Sequence, residues 1–328
     1  MKLSMQANIQ NKTVFSAFNE FIVYKKSNNL SESSIKDYNV IFNIFMDFYG
    51  KSSLCSDITS ETIQEYICWL QKRPKKINNK DSENKETEYL SSATIATYIR
   101  HLRAVINYFI SKGYTEKFKV TIPRFEKEVK DVYSKAELEL LLEKPNLKTC
   151  TFSEYRNWVM TNYFLSTANR LETARNIRIK DIDFLENEIY LRHVKNKKPY
   201  KIPMQRELKK ILIEYLGFRK GEPEDYLFCN ENDDKKPLSN EAIKTVMARY
   251  NQRRGVTKTS MHIYRNTFAK HWILSGGDLL RLQKILGHKN LDMVLEYVDM
   301  YGDDLQKNFD EYNPLSDFAK GKHIVLKK

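Results

Sequence analysis

The chain has 328 residues, with 55 Lys or Arg against 42 Asp or Glu, a formal net charge of +13 and a pI near 9.3. That charge points to an anionic partner, nucleic acid before a membrane surface. The 41% hydrophobic content is ordinary and leaves room for two domains with their own cores. Four separated cysteines (Cys55, Cys68, Cys150, Cys229) argue against a disulfide scaffold or a thiolate metal site. No apolar run approaches the ~20 residues of a membrane span, and MKLSMQANIQNK lacks the apolar centre of a signal peptide. A cytoplasmic protein is expected.

Residues 1–12 read as a flexible N-terminus. From Thr13, Phe15, Phe18, Phe21 and Ile22 mark an amphipathic helix. A second helix carries Ile35, Tyr38, Ile41, Phe42, Phe45 and Phe48 and stops at Gly50. A third, 60–72, turns Ile63, Tyr66, Ile67 and Leu70 inward. Residues 72–88 have no apolar period and form a loop or insertion. Its lysines and arginine (Lys72, Arg73, Lys75, Lys76) either contact phosphates or face solvent. A fourth helix, 93–112, sets Tyr98, Leu102, Val105, Ile106 and Phe109 inward beside Arg100, His101 and Arg103.

Residues 121–133 read as a linker, and Ser134–Glu137 as a capping box opening a second domain, 134–302. An apolar helix over 157–166 leads to TANRLETARNIRIKDIDF. Two strand-like runs, 188–193 and 200–204, flank the turn VKNKKP. Helices follow over 205–217 and 240–250, then the basic cluster Arg249, Arg253, Arg254, which either contacts phosphates or is solvated. The stretch 259–301 holds His262-x-x-Arg265, Leu286-Gly287-His288 and Tyr297. Ser260 is placed to cap a helix that carries His262 and Arg265 on one side of its first turn. Gly276-Gly277 breaks that helix and Asp278 caps the next. Gly287 closes the second helix, with His288 expected to be exposed beyond it. A short helix over 292–296 precedes Tyr297.

The order H-x-x-R, L-G-H, Y resembles the tyrosine recombinase (phage integrase) family. Upstream, TANRLETARNIRIKDIDF resembles that family's first box, T-G-x-R-x-x-E-x-x-x-L-x-x-x-D-I-D, with Arg170 on its arginine. Ala168 stands where the family has glycine, and Thr173 where it has glutamate, with Glu172 one place early. The resemblance covers about 300 residues. It implies a mainly α fold: a SAM-like four-helix core-binding domain (13–120), then an α+β catalytic domain with a small antiparallel sheet, the fold of DNA breaking-rejoining enzymes.

The resemblance further implies a catalytic set of Arg170, Lys195, His262, Arg265, His288 and Tyr297. Aligning Ile202-Pro203 with the family's V-P puts Lys195 on the hairpin lysine; Lys197 and Lys198 compete if the register slips. The arginines would hold non-bridging phosphate oxygens. Tyr297 would attack, His262 take its proton, Lys195 protonate the departing 5′ oxygen, and His288 hydrogen-bond a phosphate oxygen. The product would be a 3′-phosphotyrosine, with no cofactor and no metal required. Double-stranded DNA is the expected partner, bound by a homotetramer on two sites, with room for accessory DNA-bending proteins and no membrane. The tail, 303–328, packs either on a neighbouring protomer or on its own domain. Two other readings are a type IB topoisomerase-like nicking-closing enzyme and a catalytically silent DNA-binding protein.

Overall fold

The computed structural model describes residues 12–75, 88–125, 130–194, 198–230 and 233–301. The chain divides into two compact units, Met1–Glu128 and Val129–Lys328.

Among the described residues the first unit holds four α-helices: α1 (Val14–Ser27), α2 (Glu32–Tyr49), α3 (Ser60–Gln71) and α4 (Ser92–Ser111). Each begins where a hydroxyl can accept an otherwise unpaired N–H. Thr13, Ser31, Thr59 and Ser91 take the backbone N–H three residues on, each at 3.3 Å. The buried stripe of α4 (Ile95, Ile99, Leu102, Ile106, Phe109) packs against the other three helices. Phe18 of α1 stacks on Phe42 of α2 at 3.6 Å. Phe15 departs from expectation and is 46% exposed. The stripe of α1 runs through Val14, Ala17, Phe18, Phe21 and Ile22, which turns position 15 away from the core.

The second unit contains α5 (Lys135–Leu142), α6 (Phe152–Thr167) and α7 (Leu171–Arg175). A three-stranded antiparallel sheet follows: β1 (Ile182–Asp183), β2 (Glu188–Leu191) and β3 (Tyr200–Pro203), in that order. Ile189 pairs with Ile202, and Leu191 with Tyr200. Then come α8 (Arg206–Arg219), the ribbon β4 (Cys229–Asn230) with β5 (Asp233–Pro237), α9 (Asn240–Arg253), α10 (Met261–Leu274), α11 (Leu279–Leu286) and α12 (Asp292–Tyr301). Helix α6 is buried on nearly all sides, so it lacks a polar face and forms the axis of the domain. It is longer than its apolar run because Thr151 caps it, accepting the Glu154 N–H at 3.2 Å. The β4–β5 ribbon was not expected, since its residues show no apolar alternation. The mainly α fold with a small antiparallel sheet agrees with expectation.

Candidate active site

The last carbonyls of a helix have no partner inside it. Two helices end at one place here. Helix α6 ends on Ala168, held in the left-handed region at φ 51°, ψ 23°. Helix α11 ends on Gly287, at φ 59°, ψ 42°. Arg265, from the first turn and a half of α10, reaches both ends. Its Nη1 donates to the Ala168 carbonyl at 2.8 Å and its Nη2 to the Leu286 carbonyl at 2.6 Å. Arg170 stands just before α7, and its Nη1 donates to the same Leu286 carbonyl at 3.4 Å. The negative ends of two helices thus hold two guanidinium groups side by side. Arg265 is 6% exposed. Burial first, and then Arg170, lower its pKa to about 10, so it stays charged at neutral pH.

His288 is not exposed, contrary to expectation: it is 9% accessible. The left-handed turn at Gly287 folds the chain back, and the His288 N–H closes onto the Gln283 carbonyl at 3.0 Å. Its Nε2 lies 2.7 Å from Nη2 of Arg265. A guanidinium only donates, so Nε2 accepts, the imidazole is neutral and its proton sits on Nδ1. Burial, then Arg265 and Arg170, push its pKa down to about 4, consistent with that state.

His262, in the first turn of α10, opens to solvent. Partial desolvation, then Arg265, Arg170 and Lys244, hold its pKa below the usual imidazole value. It is therefore a neutral acceptor at pH 7. It lines a groove of about 830 Å³ with Arg170, Glu172, Lys244, Ser260 and Arg265. Ser260 occupies the position before the helix, without a side-chain capping bond.

Tyr297 lies inside α12, which runs on to Tyr301 rather than stopping at 296. It is 4% exposed, and its hydroxyl donates to Oδ1 of Asn266 at 3.1 Å. Lys130 Nζ sits 4.1 Å from the centre of its ring. Its partner Asn266 follows Arg265 on α10, which sets the phenol beside that guanidinium in the same chain. Arg265, Arg170, His288 and His262 are thus brought together, with Tyr297 beside Arg265. Lys195 lies outside the described residues, as do Lys76 and Lys197. Lys198 is described, and lines a second groove, about 580 Å³, with Tyr200, Lys284, His288 and Lys289.

Glu172 does not reach the arginine pair. It accepts from Asn240 at 2.6 Å and ties α7 to the start of α9, and these bonds, Asn240 first, lower its pKa. The other cationic candidates divide. Arg100, Arg103 and Lys72 are exposed. Arg73 stacks on Trp69 at 4.7 Å and pairs with Asp47 at 3.0 Å, while Lys75 pairs with Glu88 at 3.2 Å. Arg249, Arg253 and Arg254 line a separate cleft of about 660 Å³. Arg249 and Arg253 sit on a different face of α9 from Asn240, Lys244 and Ala248, which border the groove with His262. Arg254 is further tied to the Leu140 carbonyl at 2.8 Å. Sequence reasoning missed Lys130, Tyr200, Lys244 and Asn266. Only Asn266, beside Arg265, carried a positional hint.

The fold is an α+β domain with a small antiparallel sheet that follows a four-helix unit in the chain. The Phage integrase family model matches residues 132–302, and the Phage integrase SAM-like domain model residues 13–127. The chain belongs to the phage integrase family. It is 26% identical over 310 residues to tyrosine recombinase XerA of Saccharolobus solfataricus, covering 94% of this chain and 96% of that one. A tyrosine recombinase of Pseudothermotoga lettingae is 23% identical over 303 residues, covering 91% and 96%. Among solved structures, the Tn1549 transposon integrase in complex with a circular intermediate DNA superposes with a TM-score of 0.68 at 19% identity, covering 87% of this chain and 94% of that one. A lambda integrase dimer bound to a COC′ core site gives 0.67 at 16% identity, covering 89% and 98%.

Proposed function

We propose that this chain is a site-specific DNA recombinase that cuts and rejoins strands through a 3′-phosphotyrosine. The observation that carries the chemistry is the convergence of Arg170 and Arg265 on one carbonyl, with Tyr297 beside Arg265. A phosphodiester gains charge on its non-bridging oxygens as it is attacked. Two fixed guanidiniums are suited to that charge, and Arg265 still has N–H donors beyond those held by the carbonyls and His288.

The oxygen of Tyr297 attacks phosphorus and its proton passes to neutral His262. The bond from phosphorus to the 5′ oxygen breaks, and Lys195 supplies a proton to the departing oxygen. The strand is left as a 3′-phosphotyrosine and a free 5′-hydroxyl. A 5′-hydroxyl from a partner strand reverses the step, so the bond energy is conserved. His288 acts on Arg265: its ring nitrogen accepts from the guanidinium and fixes its plane. One copy cuts one strand, so exchange between two duplexes takes four copies. Accessory DNA-bending proteins would assist that assembly. The tail, 303–328, is proposed to dock on a neighbouring protomer; it lies outside the described residues. Among the described residues no helix is long and apolar enough to cross a membrane, and we place the reaction in the cytoplasm, with the cell's DNA.

The test is a nicked duplex cut from the DNA flanking the chain's own gene, in which the short cleaved strand diffuses away. Wild-type protein is expected to accumulate a covalent adduct, and Tyr297→Phe none. Strand exchange between two intact sites then separates recombination from simple nicking and closing. An adduct that persists in Tyr297→Phe would sink the assignment.

A further inference from the structure

Asn266 follows Arg265 on α10 and touches the nucleophile directly. Its Oδ1 accepts the Tyr297 hydroxyl at 3.1 Å, and its Nδ2 donates to the Asp131 carbonyl at 3.1 Å. A carbonyl can only accept, so Asp131 decides which end of the amide faces the phenol. Asp131 belongs to a short strap, residues 130–133, fixed at several points. Tyr301 donates to the Lys130 carbonyl at 2.7 Å, and Lys258 to the Val132 carbonyl at 2.8 Å. Thr267 accepts the Tyr133 N–H at 2.9 Å. Lys130 pairs with Glu296 at 3.1 Å while covering the Tyr297 ring.

We propose that Asn266 is a positioning residue for Tyr297, with two settings chosen by this strap; the proposal rests on the recombinase reading above. In the setting observed, an oxygen faces the phenol. It receives the O–H and holds the side chain in its buried place. A phenolate there would meet an acceptor lone pair and be repelled. Turning the amide by half a revolution puts Nδ2–H toward the phenolate and stabilises it as the proton leaves for His262. That turn also points Oδ1 at the Asp131 carbonyl, so it requires the strap to withdraw. The tie from Tyr301 to Lys130 is therefore a brake on attack. The switch exchanges hydrogen bonds only, and no covalent bond is made or broken in it.

The experiment uses the full chain on the nicked duplex, in single-turnover cleavage at saturating DNA, with duplex affinity measured in parallel. Asn266→Asp keeps the shape but can only accept. It is expected to slow cleavage about tenfold or more, the worth of one hydrogen bond to a charged group, with affinity within about twofold. Asn266→His, which can donate again, is expected to recover much of the loss. Tyr301→Phe loosens the strap and is expected to raise the cleavage rate by about twofold or more, a few tenths of a kcal/mol in the barrier. Cleavage by Asn266→Asp at the wild-type rate overturns the proposal. So does an unchanged or slower rate in Tyr301→Phe that melts normally, and this variant alone decides if Asn266→Asp fails to fold. Absence of any wild-type adduct overturns the recombinase reading itself. A wild-type adduct with indifferent Asn266 and Tyr301 variants overturns only the switch.

Discussion

His288 and Arg265 form a pair in which only one partner carries charge. Folding holds His288 neutral with a pKa near 4, through burial and two guanidiniums, whereas an unfolded imidazole titrates near 6.5. As pH falls below about 6.5 the unfolded chain takes up a proton that the folded chain refuses. Stability from this group is complete above that value and is lost progressively down to pH 4, on the order of 2–3 kcal/mol in all. Urea midpoints for the wild type should drop between pH 7 and 5, and His288→Gln should flatten that drop. An equal slope in both would refute it. Ala168 offers a second test. It is fully buried, so losing its methyl costs about 1 kcal/mol. Its left-handed backbone, however, favours glycine by a similar ~1 kcal/mol. Ala168→Gly should come out near neutral. Ala269→Gly, equally buried but inside α10, should lose about 1–2 kcal/mol, because glycine also weakens a helix. Denaturant melts of the two variants check the difference.

At the scale of elements, the C-terminus of α11 organises the site. Its last carbonyls go to Tyr200, Arg170 and Arg265: Tyr200 donates to Ile285 at 3.2 Å, and both arginines to Leu286. Gly287 can have no side chain there. A Cβ would lie 2.6 Å from the Tyr200 hydroxyl, on a backbone at φ +59°. Gly287→Ala should therefore destabilise by about 2 kcal/mol, half of it backbone strain and half displacement of Tyr200, and should slow cleavage. In a Tyr200→Ala background the clash disappears and only the ~1 kcal/mol backbone part should remain. Additive losses in the double variant would show that Tyr200 does not press on this turn. Strand β3 begins at Tyr200, so the same contact anchors the hairpin to the end of α11.

For the whole molecule, the net charge of +13 sets the terms of DNA binding. Affinity should fall steeply with salt, and each true phosphate contact removed should lower the log–log slope by about one. Lys244, which borders the groove beside His262, should behave this way on mutation to alanine. Arg254→Ala should leave the slope unchanged, because Arg254 lines a cleft separate from the groove that holds His262 and the two arginines. Binding isotherms between 50 and 200 mM salt, a range of roughly one decade or more of affinity per few contacts, measure both. A slope change for Arg254→Ala would show that Arg254 contacts a phosphate.

The sequence by itself determined the cast. Periodic apolar positions such as Phe42, Phe45, Ile99 and Ile106 declare helices because burial at a 3.6-residue repeat is a local property. Arg170, His262, Arg265, His288 and Tyr297 could be singled out as candidates because their spacings resemble a family's boxes. What no spacing could supply was how distant ends meet. His288 looked exposed beside a glycine, yet the turn at Gly287 buries it against an arginine 23 positions earlier. Arg249 and Arg253 looked like neighbours of the His262 box, yet helical rotation carries them to another face. Tyr200 and Lys130 carried no pattern, and Asn266 only its place beside Arg265, since their importance comes from carbonyls and a ring that only folding brings near. Side-chain identity is written along the chain; hydrogen-bond partners, burial and charge environment arise from convergence in space, and the tertiary structure alone decided them.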